Sequence, residues 1–342
     1  MEDLEQIKTD LSKHGYVYMK PAGKGSYSRV FLCKSTIYNN FFAIKRIPKN
    51  ETTKLEYNAL ISLSHPSIIK LYEAFEESDS EYLIMEYCPN GTLKEKGKLE
   101  YNEFVQYAKQ ILEALSYCHS KLIAHRDIKP ENIFLDKYKR AKLADFGFAQ
   151  KFEEDKISTD QCGSLMFCAP ELLNGRTNNP FQTDVWSLGA TFFYLATGLN
   201  PFPNDTKEIL QQAVKSGRIS YASVNIDPRI QSLIMRMTTI NPEQRPSIES
   251  LLNLQMFTSI KFKKIPNFTS IYSLVQNQKM TTSSTGFHSQ RFHVQDLTGE
   301  PNESNTQNEQ KGEQHDAYKR TPHTYKSVIC IPYVNKLNFG KK

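Results

Sequence analysis

Residues 16–87 alternate apolar and polar positions in the way that β-strands do. Between the third and fourth of these runs, residues 53–63 repeat their apolar positions with helical spacing. Turn residues such as the Asn39-Asn40 pair separate neighbouring strands. The pattern predicts a small, mainly antiparallel sheet of five strands with one helix, the strands being YVYMKPAGKG, RVFLCKST, FFAIKRI, IIKLYEAF and EYLIMEY.

Beyond Gly91 the apolar positions take on a helical period. Residues 103–120 place Phe104, Tyr107, Ile111 and Leu115 at steps of three or four, which predicts an amphipathic helix. Similar patterns predict further helices in DVWSLGATFFYLATG, DTKEILQQAVKSG, DPRIQSLIMRMT and SIESLLNLQMF. The chain is therefore expected to have an α+β fold, with a β-rich lobe at 16–87 and a helical lobe at 92–258 that form one domain, 16–258.

The two ends of the chain differ from this domain. Residues 1–15 are predicted to be an N-terminal extension. Residues 276–327 are rich in polar side chains and cannot bury enough apolar surface to offset the entropy of ordering, so 259–342 is predicted to be largely disordered. The formal net charge of +6 also belongs to this tail, which has 12 Lys and Arg against 6 Asp and Glu. A basic tail is a candidate docking segment for a partner, whereas a charge-balanced domain argues against nucleic-acid binding.

Two absences indicate the compartment. No run approaches the roughly 18 apolar residues of a membrane span, and the acidic N-terminus is unlike a secretory signal. The six cysteines are far apart and lack the spacing of metal ligands, which favours reduced thiols in a cytoplasmic protein, or a nuclear one. They are Cys33, Cys88, Cys118, Cys162, Cys168 and Cys330.

Two motifs in the β-rich lobe have weak meaning alone. Residues 23–30 approximate G-x-G-x-x-G-x-V, with Ser28 in place of the third glycine. Such a segment is either an ordinary tight turn or a flap whose backbone N–H groups approach phosphates. Lys45 follows an apolar strand, where a lysine is usually an edge residue. Pairing with Glu56 on the next helix is what would make it a phosphate-binding group.

The strong signal is a charged segment between apolar runs at residues 125–147. Charge is costly to bury unless it is paired or bound to a ligand. The segment contains His125-Arg126-Asp127, Lys129, Asn132 and Asp145-Phe146-Gly147, and later come Ala169-Pro170-Glu171, the run from Asp184 to Gly189, and Arg245. In this order the set resembles the motifs of protein kinases across residues 16–258. The resemblance implies the bilobal protein kinase fold and transfer of a phosphoryl group from ATP to proteins.

The resemblance also implies the role of each charged residue. Asp127 would accept the proton of the substrate hydroxyl, and Lys129 would neutralise the γ-phosphate. Asn132 and Asp145 would hold Mg²⁺, or Mn²⁺ in its place. Lys45 would bind the α- and β-phosphates, with Glu56 keeping it in position. Structural roles are implied for Arg126, Asp184 and Arg245.

The nucleotide pocket differs from the family at two positions. Ala22 would form the roof, where a larger aliphatic residue is usual, and Phe134 the floor, where leucine is usual. Met85 would be the gatekeeper, and the backbone of Glu86 and Cys88 would bind adenine. The remaining implied contacts to ATP are Gly23, Gly25, Val30 and Ala43.

Lys129, two residues after Asp127, and the Gly163-Ser164 pair resemble the serine/threonine branch. HRDIKPEN and CGSLMFCAPE are similar to the calcium/calmodulin-dependent and AMP-activated kinase group. Kinases that select arginine carry carboxylates where this chain has Thr92 and Tyr194, and only Glu131 remains of that acidic set. We therefore expect only a weak preference for arginine two and three positions before the phosphoacceptor.

Regulation is expected to depend on two features. Glu56 lies only 11 residues after Lys45, so their pairing is expected without an activator. In the activation segment, 145–171, many relatives place an activating threonine where this chain has Asp160. A carboxylate offers less charge than phosphate but suits Arg126, so either Asp160 confers partial activity or Thr159, beside Ser158, is phosphorylated. Ser164 and Glu171 complete the implied segment, with Glu171 paired to Arg245. The alternative for the whole chain is a weakly active or pseudokinase-like scaffold.

Overall fold

The alternating pattern of residues 16–87 becomes a five-stranded antiparallel sheet in the computed structural model. The strands lie in the order β1-β2-β3-β5-β4, and every neighbouring pair is antiparallel. Their bounds are β1 Tyr16–Lys24, β2 Arg29–Ser35, β3 Phe41–Pro48, β4 Leu71–Glu77 and β5 Ser80–Glu86. The predicted sheet is confirmed in both strand number and pairing.

The structure describes residues 2–25, 28–49, 51–152, 163–174, 179–203, 205–222 and 224–259. The tail predicted to be disordered, 259–342, lies outside these ranges except for its first residue, so that prediction is untested. Within the described ranges, no helix is both long enough and apolar enough to cross a membrane.

Two helices accompany the sheet. Helix α2, Glu51–Ser62, is the predicted helix between β3 and β4. Helix α1, Glu2–Lys13, was not predicted. It packs Ile7 and Leu11 against the face of the sheet that carries Phe42, Ile44 and Tyr82, and all of these side chains are buried. Most of the N-terminal extension is thus folded onto the β-rich lobe.

The second lobe is mainly helical, as its period predicts. Its helices are α3 Leu93–Lys96, α4 Tyr101–Ser120, α5 Pro170–Leu173, α6 Pro180–Thr197, α7 Lys207–Ser216, α8 Pro228–Met237, α9 Ile248–Leu252 and α10 Gln255–Thr258. Short antiparallel pairs join β6 Ile123–Ala124 to β9 Gln150–Lys151 and β7 Ile133–Leu135 to β8 Ala141–Leu143. The expected α+β bilobal fold is confirmed.

One hydrophobic cluster runs through both lobes. Leu60 and Leu83 of the β-rich lobe belong to the same buried cluster as Phe104 and Phe146 of the helical lobe. Helix α6 lies deepest, since Trp186 and most of its other residues are buried. The charged segment at 125–147 therefore lies beside a shared core that holds its backbone in place.

Candidate active site

Lys45 lies at the centre of a buried ion network. Its Nζ donates to both carboxylate oxygens of Glu56, each at 2.7 Å, and to Oδ1 of Asp145 at 2.9 Å. Strand β3 and helix α2 supply the first pair, and the Asp-Phe-Gly motif supplies the third member. The pairing expected from the 11-residue spacing is therefore present.

The network favours the charged forms of Lys45 and Asp145 despite their burial. Burial lowers the pKa of Lys45, but the negative charges of Asp145 and Glu56 outweigh it and raise the pKa above the usual lysine value. The charge of Lys45 likewise lowers the pKa of Asp145 against the effect of burial. At Glu56 burial dominates and raises the pKa, opposed by Lys45. A charged lysine in this position is suited to bind phosphate oxygens.

Asp127 has a full set of hydrogen bonds. Its Oδ2 accepts from Lys129 Nζ at 2.7 Å and from Asn132 Nδ2 at 3.1 Å. Its Oδ1 accepts from the backbone N–H of Ser164 at 2.9 Å and from the Ser164 hydroxyl at 3.0 Å. Lys129 also donates to the Ser164 hydroxyl at 2.7 Å. Residues 125–132, here called the catalytic loop, and the activation segment thus meet at one buried carboxylate.

Asp184 anchors the backbone that presents Asp127. Its carboxylate accepts from the backbone N–H groups of His125 and Arg126, each at 2.8 Å. Arg126 has φ of 67°, a left-handed conformation that is costly for a residue with a Cβ. Two hydrogen bonds to a fully buried carboxylate compensate for that strain, which supports the structural roles predicted for both residues.

The Asp-Phe-Gly motif is held in the same manner. Asp145 has φ of 61°, which turns its carboxylate toward Lys45. Phe146 is fully buried, and its ring packs edge-on against His125 with 4.7 Å between ring centroids. The catalytic loop and the motif therefore share one aromatic contact.

The residues predicted to surround the nucleotide lie on facing elements. Gly23 pairs with Val30, Val30 with Lys45, and Ala43 with Met85 across neighbouring strands. Ala22 lies where the β1–β2 register shifts. The other predicted contacts are Gly25 at the end of β1, Glu86 at the end of β5, the buried Cys88 that follows, and Phe134 on β7.

Gly25 and Ser28 are joined by a backbone hydrogen bond within the glycine-rich segment, residues 23–30. The Gly25 N–H donates to the carbonyl of Ser28 at 2.8 Å. A Cβ added at Gly25 would lie 2.7 Å from the Ser28 hydroxyl oxygen, a contact that rotation of the Ser28 side chain can relieve. Ser28, which stands in place of the third glycine, thus accepts this hydrogen bond through its backbone.

The later part of the activation segment is fastened to the helical lobe. Arg245 donates to both oxygens of Glu171, at 2.6 and 2.8 Å, and both side chains are buried. This predicted ion pair is confirmed. Ser158, Thr159 and Asp160 lie outside the described residues.

Three interactions of the site were not predicted. Lys142 on β8 donates to Glu86 Oε2 at 2.8 Å, which ties the segment after β5 to the helical lobe. Arg126, expected to bind a phosphate, donates through Nη1 to Gln150 Oε1. Lys94 lies 3.5 Å from Glu131. The sequence offered one signal for the contact of Lys142: it is a charged residue within the apolar run of β8, and a buried charge requires a partner.

The oxygen ligands fit a divalent cation. Asn132 uses its Nδ2 to bind Asp127, which leaves its Oδ1 as an acceptor. Asp145 uses Oδ1 for Lys45, and its second oxygen takes no part in that bond. Mg²⁺ is commonly held by one or two carboxylates together with substrate phosphates and water. The pair of residues suits such a site and would complete it with ATP.

Fold and site together define a protein kinase domain, and comparison with known families agrees. The family model described as protein kinase domain matches residues 16–257, so the chain belongs to the protein kinase family. The resemblance drawn from the motifs is confirmed.

Three relatives place the chain within the family. NUAK family SNF1-like kinase 1 of Homo sapiens is 35% identical over 254 residues, which cover 70% of this chain and 38% of that protein. Probable serine/threonine-protein kinase MARK-A of Dictyostelium discoideum is 36% identical over 72% of this chain and 24% of its own length. Probable serine/threonine-protein kinase HSL1 of Saccharomyces cerevisiae is 34% identical over 68% and 18%. The matches span well under half of each relative.

Proposed function

We propose that this chain is a serine/threonine protein kinase that transfers the γ-phosphoryl group of ATP to serine and threonine hydroxyls of proteins. The observation that carries the proposal is the assembled network of Lys45, Glu56 and Asp145 beside a fully hydrogen-bonded Asp127. Phosphoryl transfer depends mainly on positioning and on neutralising phosphate charge. A site that already holds its charged groups in place suits this requirement.

Lys45 has the task of binding the α- and β-phosphates. Its pKa is raised, so the ammonium group stays protonated at neutral pH. Glu56 holds it from the helix side at 2.7 Å, and Asp145 from the cleft side at 2.9 Å. Phosphate oxygens of ATP would share the three donors of the ammonium group with these two carboxylates.

Asp127 has the task of orienting the substrate hydroxyl. That oxygen attacks the γ-phosphorus, the bond to the β–γ bridging oxygen breaks, and the hydroxyl proton passes to Asp127. A carboxylate has about four acceptor sites, and the described contacts use four. The substrate hydroxyl would therefore replace the Ser164 hydroxyl, which keeps its hydrogen bond from Lys129.

Asn132 and Asp145 would be the oxygen ligands for the metal. Bound Mg²⁺ neutralises phosphate charge as bonds form and break. Asn132 is oriented by its two hydrogen bonds to Asp127, at 2.8 Å to the backbone carbonyl and 3.1 Å to the carboxylate. These hydrogen bonds hold Asn132, the proposed metal ligand, in a fixed orientation relative to Asp127, the proposed proton acceptor.

The rival function is that of a binding scaffold without catalysis. A scaffold can dispense with the lysine and the two aspartates, yet Lys45, Asp127 and Asp145 are all present and all hydrogen-bonded. The departures at Ser28 and Thr92 remove neither a metal ligand nor a proton acceptor. These observations favour the enzyme.

The test is ATP-dependent phosphorylation of generic serine/threonine substrates by protein purified after phosphatase treatment. Asp127→Asn keeps the size of the side chain but removes the proton acceptor, and we expect the rate to fall at least about a hundredfold. Asp79→Asn is the matched control, because Asp79 is 84% exposed on a turn away from the site. A wild-type rate no higher than that of Asp127→Asn would refute the proposal.

Partial activity without modification is the second part of the proposal. The same protein is compared with Asp160→Ala, Thr159→Ala and Ser158→Ala, and the phosphorylation state of each is measured by mass spectrometry. We expect the unmodified protein to be active and Asp160→Ala to be weaker. Activity that appears only after phosphorylation of Thr159 or Ser158 would contradict the role given to Asp160.

A further inference from the structure

Lys94 lies between two side chains of the helical lobe that border the catalytic loop. Its Nζ is 3.5 Å from Oε1 of Glu131 and 4.1 Å from the centroid of the Tyr194 ring. The Tyr194 hydroxyl donates to the backbone carbonyl of Lys94 at 3.1 Å. Lys94 is therefore held at both its backbone and its ammonium group.

The short helix α3 holds Lys94 in this place. Thr92 caps the helix by accepting from the N–H of Glu95, and the Glu95 carboxylate accepts from the N–H of Thr92. Gly97, with φ of 72°, ends the helix. A lysine on a capped helix loses less freedom when it forms an ion pair than a lysine on a loop does.

Glu131 borders the position of the substrate. It lies in the single turn Pro130–Asn132, between Lys129 and Asn132, and both of these neighbours bind Asp127. Its side chain is 30% exposed, so a substrate chain bound near Asp127 can reach part of it. A carboxylate at such a position attracts basic side chains of the substrate.

The second oxygen of Glu131 strengthens this interpretation. Oε2 is shielded from solvent and accepts no hydrogen bond from the described residues, whereas Oε1 faces Lys94. Because Oε2 is shielded, a substrate cation would have to approach Glu131 through Oε1, the oxygen that Lys94 engages.

We propose that Lys94 is a specificity-determining residue: it occupies Glu131 and so prevents this kinase from selecting substrates with arginine or lysine near the phosphoacceptor. The inference rests on the proposed function and names the substrate class for the same site. The preferred substrates lack basic residues next to the phosphoacceptor, because a substrate cation would have to displace Lys94 from Glu131 and would be repelled by its positive charge.

The test compares peptides that carry one arginine at each position around the serine with the same peptide carrying alanine there. Wild type should favour arginine less than about twofold at every position. Lys94→Ala should raise the preference to roughly fivefold at one or two positions, the scale of a partly exposed ion pair, and Lys94→Glu should raise it further. Alanine preserves the helix, since its helix propensity is the highest.

Lys96→Ala is the matched control. Lys96 lies on the same helix and is 33% exposed, like Lys94 at 35%, but it pairs with Glu103 at 2.8 Å. It should leave the arginine preference at the wild-type level. Adding Glu131→Gln to Lys94→Ala should abolish the gained preference, because the amide has no charge to attract arginine.

Peptide binding provides a readout that does not require phosphoryl transfer. Fluorescence anisotropy with the serine replaced by alanine measures the same preference for arginine. A preference gained by Lys94→Ala in binding, together with no phosphorylation of the matching serine peptides, would sustain the inference and refute the proposed function. A ratio that is equal in wild type, Lys94→Ala and Lys96→Ala, or a wild type that already favours arginine tenfold, would overturn the inference.

Discussion

Helix α1 should be part of the cooperative core, and Leu11→Ala tests this. Leu11 is fully buried against the face of the sheet that carries Phe42 and Ile84, and it lies one helical turn from the equally buried Ile7. Replacing a buried leucine by alanine removes the transfer free energy of the lost methyl groups and leaves a cavity, at a cost of about 2–5 kcal/mol. A value near 3 kcal/mol is expected, since an N-terminal helix can partly settle into the space.

The assay is unfolding by heat and by urea, followed by circular dichroism. For a domain of this size a loss of about 3 kcal/mol lowers Tm by roughly 6–12 °C. Leu4→Ala is the control, because Leu4 on the same helix is 38% exposed and should change stability by less than about 0.5 kcal/mol. Equal behaviour of Leu11→Ala and Leu4→Ala would mean that the helix detaches before the domain unfolds, which would refute the reasoning.

Three further perturbations follow from the contacts. The hydrogen bond from Lys13 lowers the pKa of Glu77, so Glu77 stabilises the folded state at pH values above its ordinary pKa and loses this effect as it is protonated. The loss of unfolding free energy caused by Glu77→Gln, measured in urea, should therefore shrink as pH falls below about 4, and a loss that is the same at every pH would contradict this. Gly163→Ala should lower kcat more than tenfold without lowering Tm as much as a core mutation, because Gly163 has φ of 91° and the new Cβ would lie 2.5 Å from the carbonyl oxygen of Arg126. The control is Gly198→Ala, where φ is 77° and the nearest contact of a new Cβ is at 3.4 Å; equal rates for the two variants would refute the reasoning. Arg245→Lys should cost about 3 kcal/mol or more in urea unfolding, because the guanidinium makes five hydrogen bonds, two to the buried Glu171 and three to backbone carbonyls, and an ammonium group has only three donors. A loss below about 1 kcal/mol would contradict this.

The sequence predicted the elements whose side chains follow a regular period. The stripe of Phe104, Tyr107, Ile111 and Leu115 is buried along α4. The order of the motifs likewise predicted the active-site residues, because a catalytic loop and a metal-binding motif carry residue types that have few other reasons to occur together. The hydrophobic period and the motifs each depend on residues that are close together in the sequence, so the sequence alone reveals them.

Helix α1 was missed although Leu4, Ile7 and Leu11 are three and four residues apart, a helical spacing. Its polar sequence offers only two deeply buried apolar side chains, and its docking depends on Asp10, whose buried carboxylate accepts from the hydroxyl of Tyr82 at 3.0 Å. The partner lies far along the chain on β5, and a lone aspartate near an N-terminus ordinarily indicates a solvated surface. Only the fold brings the acceptor and the donor together.

The length of the connection decides which contacts a sequence can predict. Strand β3 ends at Pro48 and helix α2 begins at Glu51, so three peptide units, at most about 11 Å, separate them. A helix attached so closely has little room to carry Glu56 away from β3. The spacing therefore predicted that the ion pair, which the resemblance implies, forms without an activator. Lys94 and Glu131 have no such tether. Their pairing depends on α3, α6 and the catalytic loop packing together. The motifs alone therefore do not predict that Lys94 contacts Glu131.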